Sequence, residues 1–161
     1  KYTAVFADSV YLMADAFDLE LDEVAFSYEL GACTKDVDLG WYQLPEGSLG
    51  GSYIKYQGMV DGVARVESHL EWQMTPHTDP SWNIQACYIT QVTGDPNIYS
   101  KHMIFPRKGF DLSKPENFAS IGMTVTGLPA LNSITSVVAA APGIVTSADL
   151  PLRSFAGRFA I

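Results

Sequence analysis

The sequence predicts an α+β fold, in which a mostly antiparallel (mixed) sheet carries helices packed on one face. Apolar residues first recur every three or four positions, then alternate with polar residues along several segments, and return to helical spacing after residue 115. Strands grouped between helices are typical of this class. The length of 161 residues, with 47% hydrophobic and 17% charged residues, indicates one folded domain over 1–161.

The N-terminal third of the chain combines a helix, a strand and a loop. Residues 2–18 place apolar side chains on one helical stripe. Over residues 24–30 large apolar residues then occupy every second position, as in a strand. Residues 35–51 lose periodicity and contain Pro45 and several glycines. We therefore expect a long loop over 35–51, and loops of that length in compact domains tend to be functional.

A hairpin is predicted next, because residues 52–60 and 63–74 are strand-like and flank the tight-turn dipeptide Asp61-Gly62. We interpret Trp72, and the later Trp82, as core residues. The second strand sends two sets of side chains to opposite faces, namely Val66, Ser68, Leu70, Trp72 and Met74 on one and Glu67, His69, Glu71 and Gln73 on the other.

Two further strands, 82–93 and 97–105, carry apolar residues on both of their faces. This pattern predicts a part of the sheet that is covered on both faces. Since helices would cover only one face, we expect a symmetric homodimer that forms through the open face of the sheet. A charge placed at Ile89 or Ile104 should weaken that dimer.

Two C-terminal helices are predicted, over 115–127 and 129–141, with Ser113 as the N-cap of the first. The Gly-Leu-Pro sequence at 127–129 separates them. Thr126 and Asn132 flank this break, and their polar side chains either hydrogen-bond a ligand or cap the exposed helix ends. Capping is the favoured alternative.

Composition argues against several classes of protein. The net charge of −8 argues against a nucleic-acid partner and against an anionic membrane surface. No apolar run is long enough to span a bilayer, and no secretory leader opens the chain. The two cysteines, Cys33 and Cys87, lack CxxC spacing, which argues against a disulfide or a zinc site and favours a cytoplasmic location. Because the chain begins at Lys1 within a helical pattern, we expect it to be part of a longer protein.

The motifs GxGxxG, GxxxxGKS/T, HExxH and GxSxG are all absent from the sequence, so no nucleotide fingerprint or familiar catalytic motif is present. His69, between Glu67 and Glu71, is compatible with an acid/base or metal cluster, although a solvated surface row is the favoured interpretation. Trp41 and Tyr42, within the glycine-bearing loop, would form either a pocket wall or a packing lid.

The segment that follows the predicted helix break carries a resemblance to a known family. Its motifs are Leu131-Asn132-Ser133-Ile134, residues 137–144, and Asp149-Leu150-Pro151, and the Asp61-Gly62 hairpin and Asp79-Pro80-Ser81-Trp82 are further points of likeness. These segments resemble dihydrodipicolinate-reductase-like oxidoreductases of the amine dehydrogenase and 2,4-diaminopentanoate dehydrogenase type, over about residues 20–152. Ser133 and Thr135 depart from the family's usual Ala and Pro. The adjacent histidines of true dihydrodipicolinate reductases are absent, so their reaction is not carried over.

The resemblance implies a dihydrodipicolinate-reductase C-terminal-like fold. It implies the substrate-binding and dimerisation domain of an NAD(P)-dependent oxidoreductase that acts on a small amine or ketone. NAD(P) would bind mainly to the protein's own nucleotide-binding domain, and the isolated chain would bind no cofactor and be inactive. Within this interpretation Trp41 and Tyr42 form the wall of an apolar pocket, Thr126 and Asn132 orient the substrate, and all four converge on one cavity. A non-enzymatic small-ligand-binding or structural dimerisation domain is the alternative.

Overall fold

The computed structural model describes residues 6–85, 87–105, 109–111, 115–146 and 149–151. Two compact units divide the chain, residues 1–105 and residues 106–161. In chain order the elements are α1 (Ala7–Ala16), β1 (Glu23–Cys33), β2 (Val37–Asp38), β3 (Gln43–Leu44), β4 (Leu49–Val60), β5 (Val63–Gln73), β6 (Thr78–Asp79), β7 (Tyr88–Val92), β8 (Ile98–His102) and α2 (Pro115–Ala139). The antiparallel strands and two helices confirm the predicted α+β class.

Helix α1 ends earlier than its apolar stripe suggested. Asp18 has a φ of 54°, in the left-handed region that commonly terminates a helix. The backbone N–H of Phe17 donates to the carbonyl of Ala14, and that of Asp18 donates to the carbonyl of Asp15. Because these bonds satisfy the last carbonyls, the helix closes at Ala16 and not at residue 18.

The main sheet has four antiparallel strands in the order β5-β4-β1-β6. The predicted hairpin between β4 and β5 is confirmed: Asp61 and Gly62 have φ values of 50° and 73°, as a tight two-residue turn with both central residues at positive φ requires. The N–H of Asp61 also donates to the Asp22 carboxylate at 2.7 Å, which ties the turn to the residues before β1.

A bulge displaces the register of the hairpin by one residue. Pairing begins with Val60 opposite Val63, but Gly58 lies opposite Val66, so Arg65 is an extra residue on β5. Because side chains alternate between faces, this one extra residue decides which side chains of β4 and β5 share a face.

The core of the first unit lies between α1 and one face of the main sheet. Its buried side chains are Val10 and Ala14 from the helix and Tyr56 and Val66 from the sheet. Partly buried apolar residues surround them, namely Phe6, Ala7, Met13, Leu19, Leu21, Val24, Phe26, Ile54 and Leu70. The opposite face of the sheet carries polar side chains, so the helix covers one face, as predicted.

The expected long loop over 35–51 is wrong in part. It contains the short pair β2–β3, with Val37 opposite Leu44, and β4 already begins at Leu49. Leu44, on the second strand of this small hairpin, is buried. The absence of periodicity hid the pair because each strand has only two residues.

The two strands predicted over 82–93 and 97–105 are shorter and lie outside the main sheet. Residues 81–85 form no strand, and in the described part of the chain β7 pairs only with β8. Most of their side chains are exposed in the single chain, so cover of these strands by a second subunit stays a prediction. The core assignment of the tryptophans is also wrong, since Trp72 is 55% exposed and Trp82 is half-buried.

In the second unit a single helix replaces the two that were predicted. Helix α2 is continuous from Pro115 to Ala139 with Pro129 inside it, so the expected break at 127–129 is wrong. A proline removes one helical hydrogen bond, but it does not force a stop when the residues on both sides keep helical geometry. The expected N-cap Ser113 lies outside the described residues. None of the helices described combines the length and hydropathy that a bilayer crossing needs.

Candidate functional site

The predicted aromatic pair lies at the tip of the β2–β3 hairpin. Trp41 and Tyr42 are 63% and 54% exposed, and their ring centroids are 5.8 Å apart. Asp38 shapes the turn, because its carboxylate accepts a 2.7 Å hydrogen bond from the N–H of Gly40. That bond, followed by one from the Gln43 side chain, lowers the pKa of Asp38 below its ordinary value. Two large rings are therefore presented to solvent by a hairpin with an ordered turn.

The predicted polar pair lies in the second unit, on helix α2. The hydroxyl of Thr126 donates to the carbonyl of Gly122 at 2.8 Å, and Asn132 is exposed in the last third of the helix. Since α2 is continuous, neither residue caps a helix end at 127–129, and the capping interpretation is wrong. Convergence of this pair with Trp41 and Tyr42 on one cavity stays a prediction.

The open face of the main sheet brings together a group that the sequence identified only in part. Three rows cross β1, β4 and β5 on this face, since residues directly opposite each other in antiparallel strands share a face. The rows are Glu29, Tyr53 and Glu71, then Ser27, Lys55 and His69, then Ala25, Gln57 and Glu67. We call these nine residues the polar face.

A hydrogen-bonded chain runs across the polar face. The Tyr53 hydroxyl lies 2.7 Å from Nδ1 of His69, and Nε2 of His69 lies 2.9 Å from Oε2 of Glu67. An ionised carboxylate only accepts, so Nε2 carries the hydrogen towards Glu67, and Nδ1 of the neutral ring accepts from the tyrosine O–H. Gln57 donates to the other oxygen of Glu67, and Lys55 Nζ lies 3.9 Å from it.

This environment shifts the pKa values of the acid and the phenol in opposite directions. Burial raises the pKa of Glu67, but hydrogen bonds from His69 and Gln57, with the charge of Lys55, bring the pKa below its ordinary value. Burial, and then the charges of Glu71 and Glu67, raise the pKa of Tyr53 above its ordinary value. The acid therefore stays ionised and the phenol stays neutral at neutral pH.

The indole of Trp82 closes one end of the polar face. Its Nε1 donates to Oε2 of Glu29 at 3.2 Å. Its ring lies over Gly31 and Gly51, which are paired on β1 and β4, and a Cβ built on either glycine would be 3.0 Å from the Trp82 Cζ3. Two adjacent glycines therefore make room for the ring beside the row that holds Tyr53.

The sequence predicted only those members of the polar face that lie on β5, namely Glu67, His69 and Glu71. The alternation of β4 was a usable signal for Tyr53 and Lys55, but their pairing with β5 depends on the bulge at Arg65. No sequence signal pointed to Trp82, which reaches the sheet from a loop. The metal interpretation has no support in the described ranges, where no three His, Cys, Asp or Glu residues are placed to hold an ion.

A shallow cavity of about 350 Å³ lies elsewhere, at the turn end of the β7–β8 pair. Gln91, Val92, Thr93, Asn97, Ile98 and Tyr99 line it. None of these residues belongs to the predicted site, and the group contains no charged side chain. The residues that line the cavity therefore give no basis for assigning it a chemical function.

Comparison with known protein families adds evidence that the geometry alone does not supply. A family model described as the 2,4-diaminopentanoate dehydrogenase C-terminal domain matches residues 3–158 of this chain. That range includes every element described above, and it confirms the resemblance based on the sequence motifs. No curated protein matches the sequence.

Proposed function

This chain belongs to the family of 2,4-diaminopentanoate dehydrogenase C-terminal domains, and from that premise we propose that it is the substrate-binding and dimerisation domain of an NAD(P)-dependent oxidoreductase acting on amines. The observation that carries the proposal is the family match over residues 3–158. The substrate class would be a small amine and the corresponding imine or ketone. NAD(P), when bound to the enzyme, supplies or accepts the hydride.

The sequence lacks the GxGxxG motif that usually forms the cradle for a dinucleotide. Such a cradle needs a glycine-rich turn between a strand and the start of a helix. Gly50 and Gly51 instead lie within strand β4, where a Cβ on Gly50 would meet the Cys33 sulfur at 2.6 Å. We therefore assign cofactor binding to the protein's own nucleotide-binding domain, with this chain shaping the substrate side.

The roles proposed for the site residues follow from their chemistry. Trp41 and Tyr42 are rigid, amphipathic rings on an ordered hairpin, which suits them to bound the carbon skeleton of a substrate. Asn132 offers both a donor and an acceptor to orient the polar end, and Thr126 offers the lone pairs of its hydroxyl oxygen, since its hydrogen is already donated. Binding of this kind excludes water and positions the reacting carbon, and it leaves the hydride chemistry to the cofactor.

Kinetics of the longer enzyme that contains this chain test these roles. Trp41→Ala should change the preference between small and large amines by about 1–3 kcal/mol in kcat/KM, because pocket volume is altered. Asn132→Ala should lower turnover while the KM for NAD(P) stays unchanged. Tyr11→Ala, at another exposed aromatic residue, on α1, is the matched control. An unchanged size preference in Trp41→Ala would remove the hairpin from the site.

Dimerisation is proposed to use the apolar ribbon formed by β7 and β8. Tyr88, Ile89, Ile98 and Tyr99 are all exposed on it, and Ile104 is exposed just beyond β8. The open face of the main sheet is polar, so the ribbon is the better surface for the homodimer expected from the sequence. A stable interface would bury roughly 800 Å² or more per subunit.

Sedimentation equilibrium of the 161-residue chain tests the dimer. We expect Ile89→Asp and Ile104→Asp to shift the equilibrium towards monomer, because each would bury a charge against apolar side chains. Leu12→Asp, at an exposed apolar residue on α1, should leave it unchanged. A wild-type chain that is monomeric at high micromolar concentration contradicts the proposal.

A further inference from the structure

The residues that lead from β6 to the β7–β8 ribbon run over one end of the main sheet, and we call residues 80–85 the strap. Trp82 and Ile84 of the strap are half-buried, whereas the residues between and beside them are exposed. We propose that the strap is a conformational latch. With Trp82 seated on the sheet, it holds the ribbon in place and keeps its two strands paired. With Trp82 released, the ribbon opens independently of the sheet.

A pair of glycines forms the seat of the Trp82 ring. Gly31 and Gly51 lie opposite each other on β1 and β4, and a Cβ built on either would be 3.0 Å from Cζ3 of Trp82. A side chain at either position would therefore push the indole away from the strands. The hydrogen bond from Nε1 to Oε2 of Glu29, at 3.2 Å, fixes the orientation of the seated ring.

The chain before the strap is tied to the main sheet by its backbone. Strand β6 pairs with Ala32 and Cys33 of β1. The side-chain amide of Gln73 also donates to the hydroxyl of Thr78 at 2.9 Å. Because these bonds end at residue 79, the strap can lift from the sheet without breaking them, and the hinge of the latch lies at its first residues.

The ribbon after the strap is a two-stranded element without a third strand. Among the strands that the structure describes, β7 and β8 pair only with each other. A two-stranded hairpin on its own is marginally stable in water, so its order depends on what it is attached to. Nζ of Lys101, on β8, donates to Oε1 of Gln85, which ties the ribbon to the strap. The seat of Trp82 in turn ties the strap to the sheet.

Trp82 lies outside the apolar core, which separates a latch from an ordinary core contact. The buried core residues, among them Val10 and Tyr56, lie between α1 and the opposite face of the sheet. Removal of the Trp82 ring should therefore leave that core intact and loosen only the strap and the ribbon. The latch concerns how the ribbon is attached and not what it binds, so the inference goes beyond the proposed function and does not depend on it.

Native-state hydrogen exchange of the 161-residue chain tests the latch, because it measures the opening of each strand separately. In Trp82→Ala we expect the amides of β7 and β8 to exchange about tenfold faster or more, while those of β4 and β5 exchange as in wild type. Trp41→Ala, which removes an exposed indole from the β2–β3 hairpin, is the control and should leave the ribbon unchanged. Unchanged exchange of the ribbon in Trp82→Ala, or equal acceleration in β4 and β5, overturns the proposal.

Two further variants act on the seat without removing the ring. A Cβ on Gly31 would meet the Pro80 carbonyl oxygen at 2.9 Å and Trp82 at 3.0 Å, so Gly31→Ala should lift the strap and accelerate exchange in the ribbon. Trp82→Phe keeps a ring for the seat and loses only the Nε1–H donor, so its ribbon should exchange at a rate between those of wild type and Trp82→Ala. A ribbon that exchanges in Gly31→Ala as in wild type contradicts the latch.

The same comparison in an Ile89→Asp background separates the latch from dimerisation. That substitution is expected to disfavour the dimer, so any protection of the ribbon by a second subunit is reduced in both chains that are compared. The latch requires that Trp82→Ala still accelerates exchange of β7 and β8 in this background. Loss of the difference there would mean that Trp82 acts through the dimer, and would overturn the proposal while leaving the proposed dimer in place.

Discussion

At the scale of single residues, Gly58 of β4 allows the close approach of α1 to the main sheet. A Cβ built on Gly58 would lie 2.8 Å from Cγ1 of Val10 and 2.9 Å from Cδ1 of Leu21. Both neighbours belong to the apolar core of the first unit. The helix can therefore rest directly on the strand only because this position has no side chain.

Gly58→Ala should destabilise the chain by about 1–3 kcal/mol, because the added methyl overpacks the contact between helix and strand. Urea unfolding followed by circular dichroism measures the change. Gly122→Ala is the matched control, since a Cβ there meets nothing within 4 Å in the described structure. In a helix interior that exchange should stabilise by about 0.5–1 kcal/mol. Equal stability of Gly58→Ala and wild type would show that α1 moves away at no cost.

Glu67 should make the stability of the chain depend on pH in the acid range. Its pKa is lowered in the folded chain from an ordinary value of 4.5, so the folded state binds the proton less readily than the unfolded state. The contribution is present above pH 4.5 and is lost as the pH falls through the lowered value. Glu67→Gln should therefore flatten the fall in unfolding free energy below that pH. Glu46→Gln, at an exposed acid outside the polar face, should retain the wild-type slope.

At the scale of elements, helix α2 carries an internal proline and still remains one helix of 25 residues. Pro129 cannot donate to the carbonyl four residues earlier. Side-chain hydroxyls on either side bond back to the helix, from Thr126 to Gly122 and from Ser133 to Ala130, both at 2.8 Å. Such bonds often accompany a local bend, and they show that both halves keep helical geometry around the proline.

Pro129→Ala should stabilise α2, because an interior proline costs up to about 3 kcal/mol relative to alanine. Hydrogen exchange of the amides that follow residue 129 should slow, and the thermal unfolding midpoint should rise. Pro115→Ala is the matched control: Pro115 is the first residue of the helix, where a missing N–H costs nothing. Faster exchange in Pro129→Ala would mean that the ring makes packing contacts that outweigh the missing bond.

Across the whole molecule, the arrangement of the described glycines supports the proposal that NAD(P) binds outside this chain. The 161 residues contain no GxGxxG sequence, and the buried glycines Gly31, Gly50, Gly51 and Gly58 all serve close packing within β1 and β4. Backbone N–H groups at a strand-to-helix turn would be needed to bind the pyrophosphate. A family of dehydrogenase C-terminal domains is consistent with a nucleotide-binding domain elsewhere in the protein.

The 161-residue chain alone should therefore show no tight binding of NADH or NADPH and no turnover of amines. Calorimetric titration with each cofactor measures the first, and cofactor absorbance in the presence of amine measures the second. The longer enzyme serves as the positive control under the same conditions. A dissociation constant in the low micromolar range for the isolated chain would contradict this prediction.

The sequence by itself determined the elements whose side chains repeat with a clear local period. The stripe that contains Val10 and Ala14 predicted α1, and alternation on both sides of Asp61-Gly62 predicted the β4–β5 hairpin. The sequence also predicted that Glu67, His69 and Glu71 share the polar face of one strand. These features are readable because they depend on neighbours a few positions apart.

Tertiary structure alone decided which residues meet across strands. Without the extra residue Arg65, the pairing that starts at Val60 and Val63 would set Tyr53 opposite Leu70 and away from Glu71. Trp82 hydrogen-bonds Glu29, which lies 53 positions earlier in the sequence. In the described part of the chain β7 and β8 pair with each other and not with the main sheet, although their sequences also predict strands. A local period specifies which face a side chain takes within its own strand. Register and distant contacts instead depend on bulges, close approaches and packing energies that no short window of sequence contains.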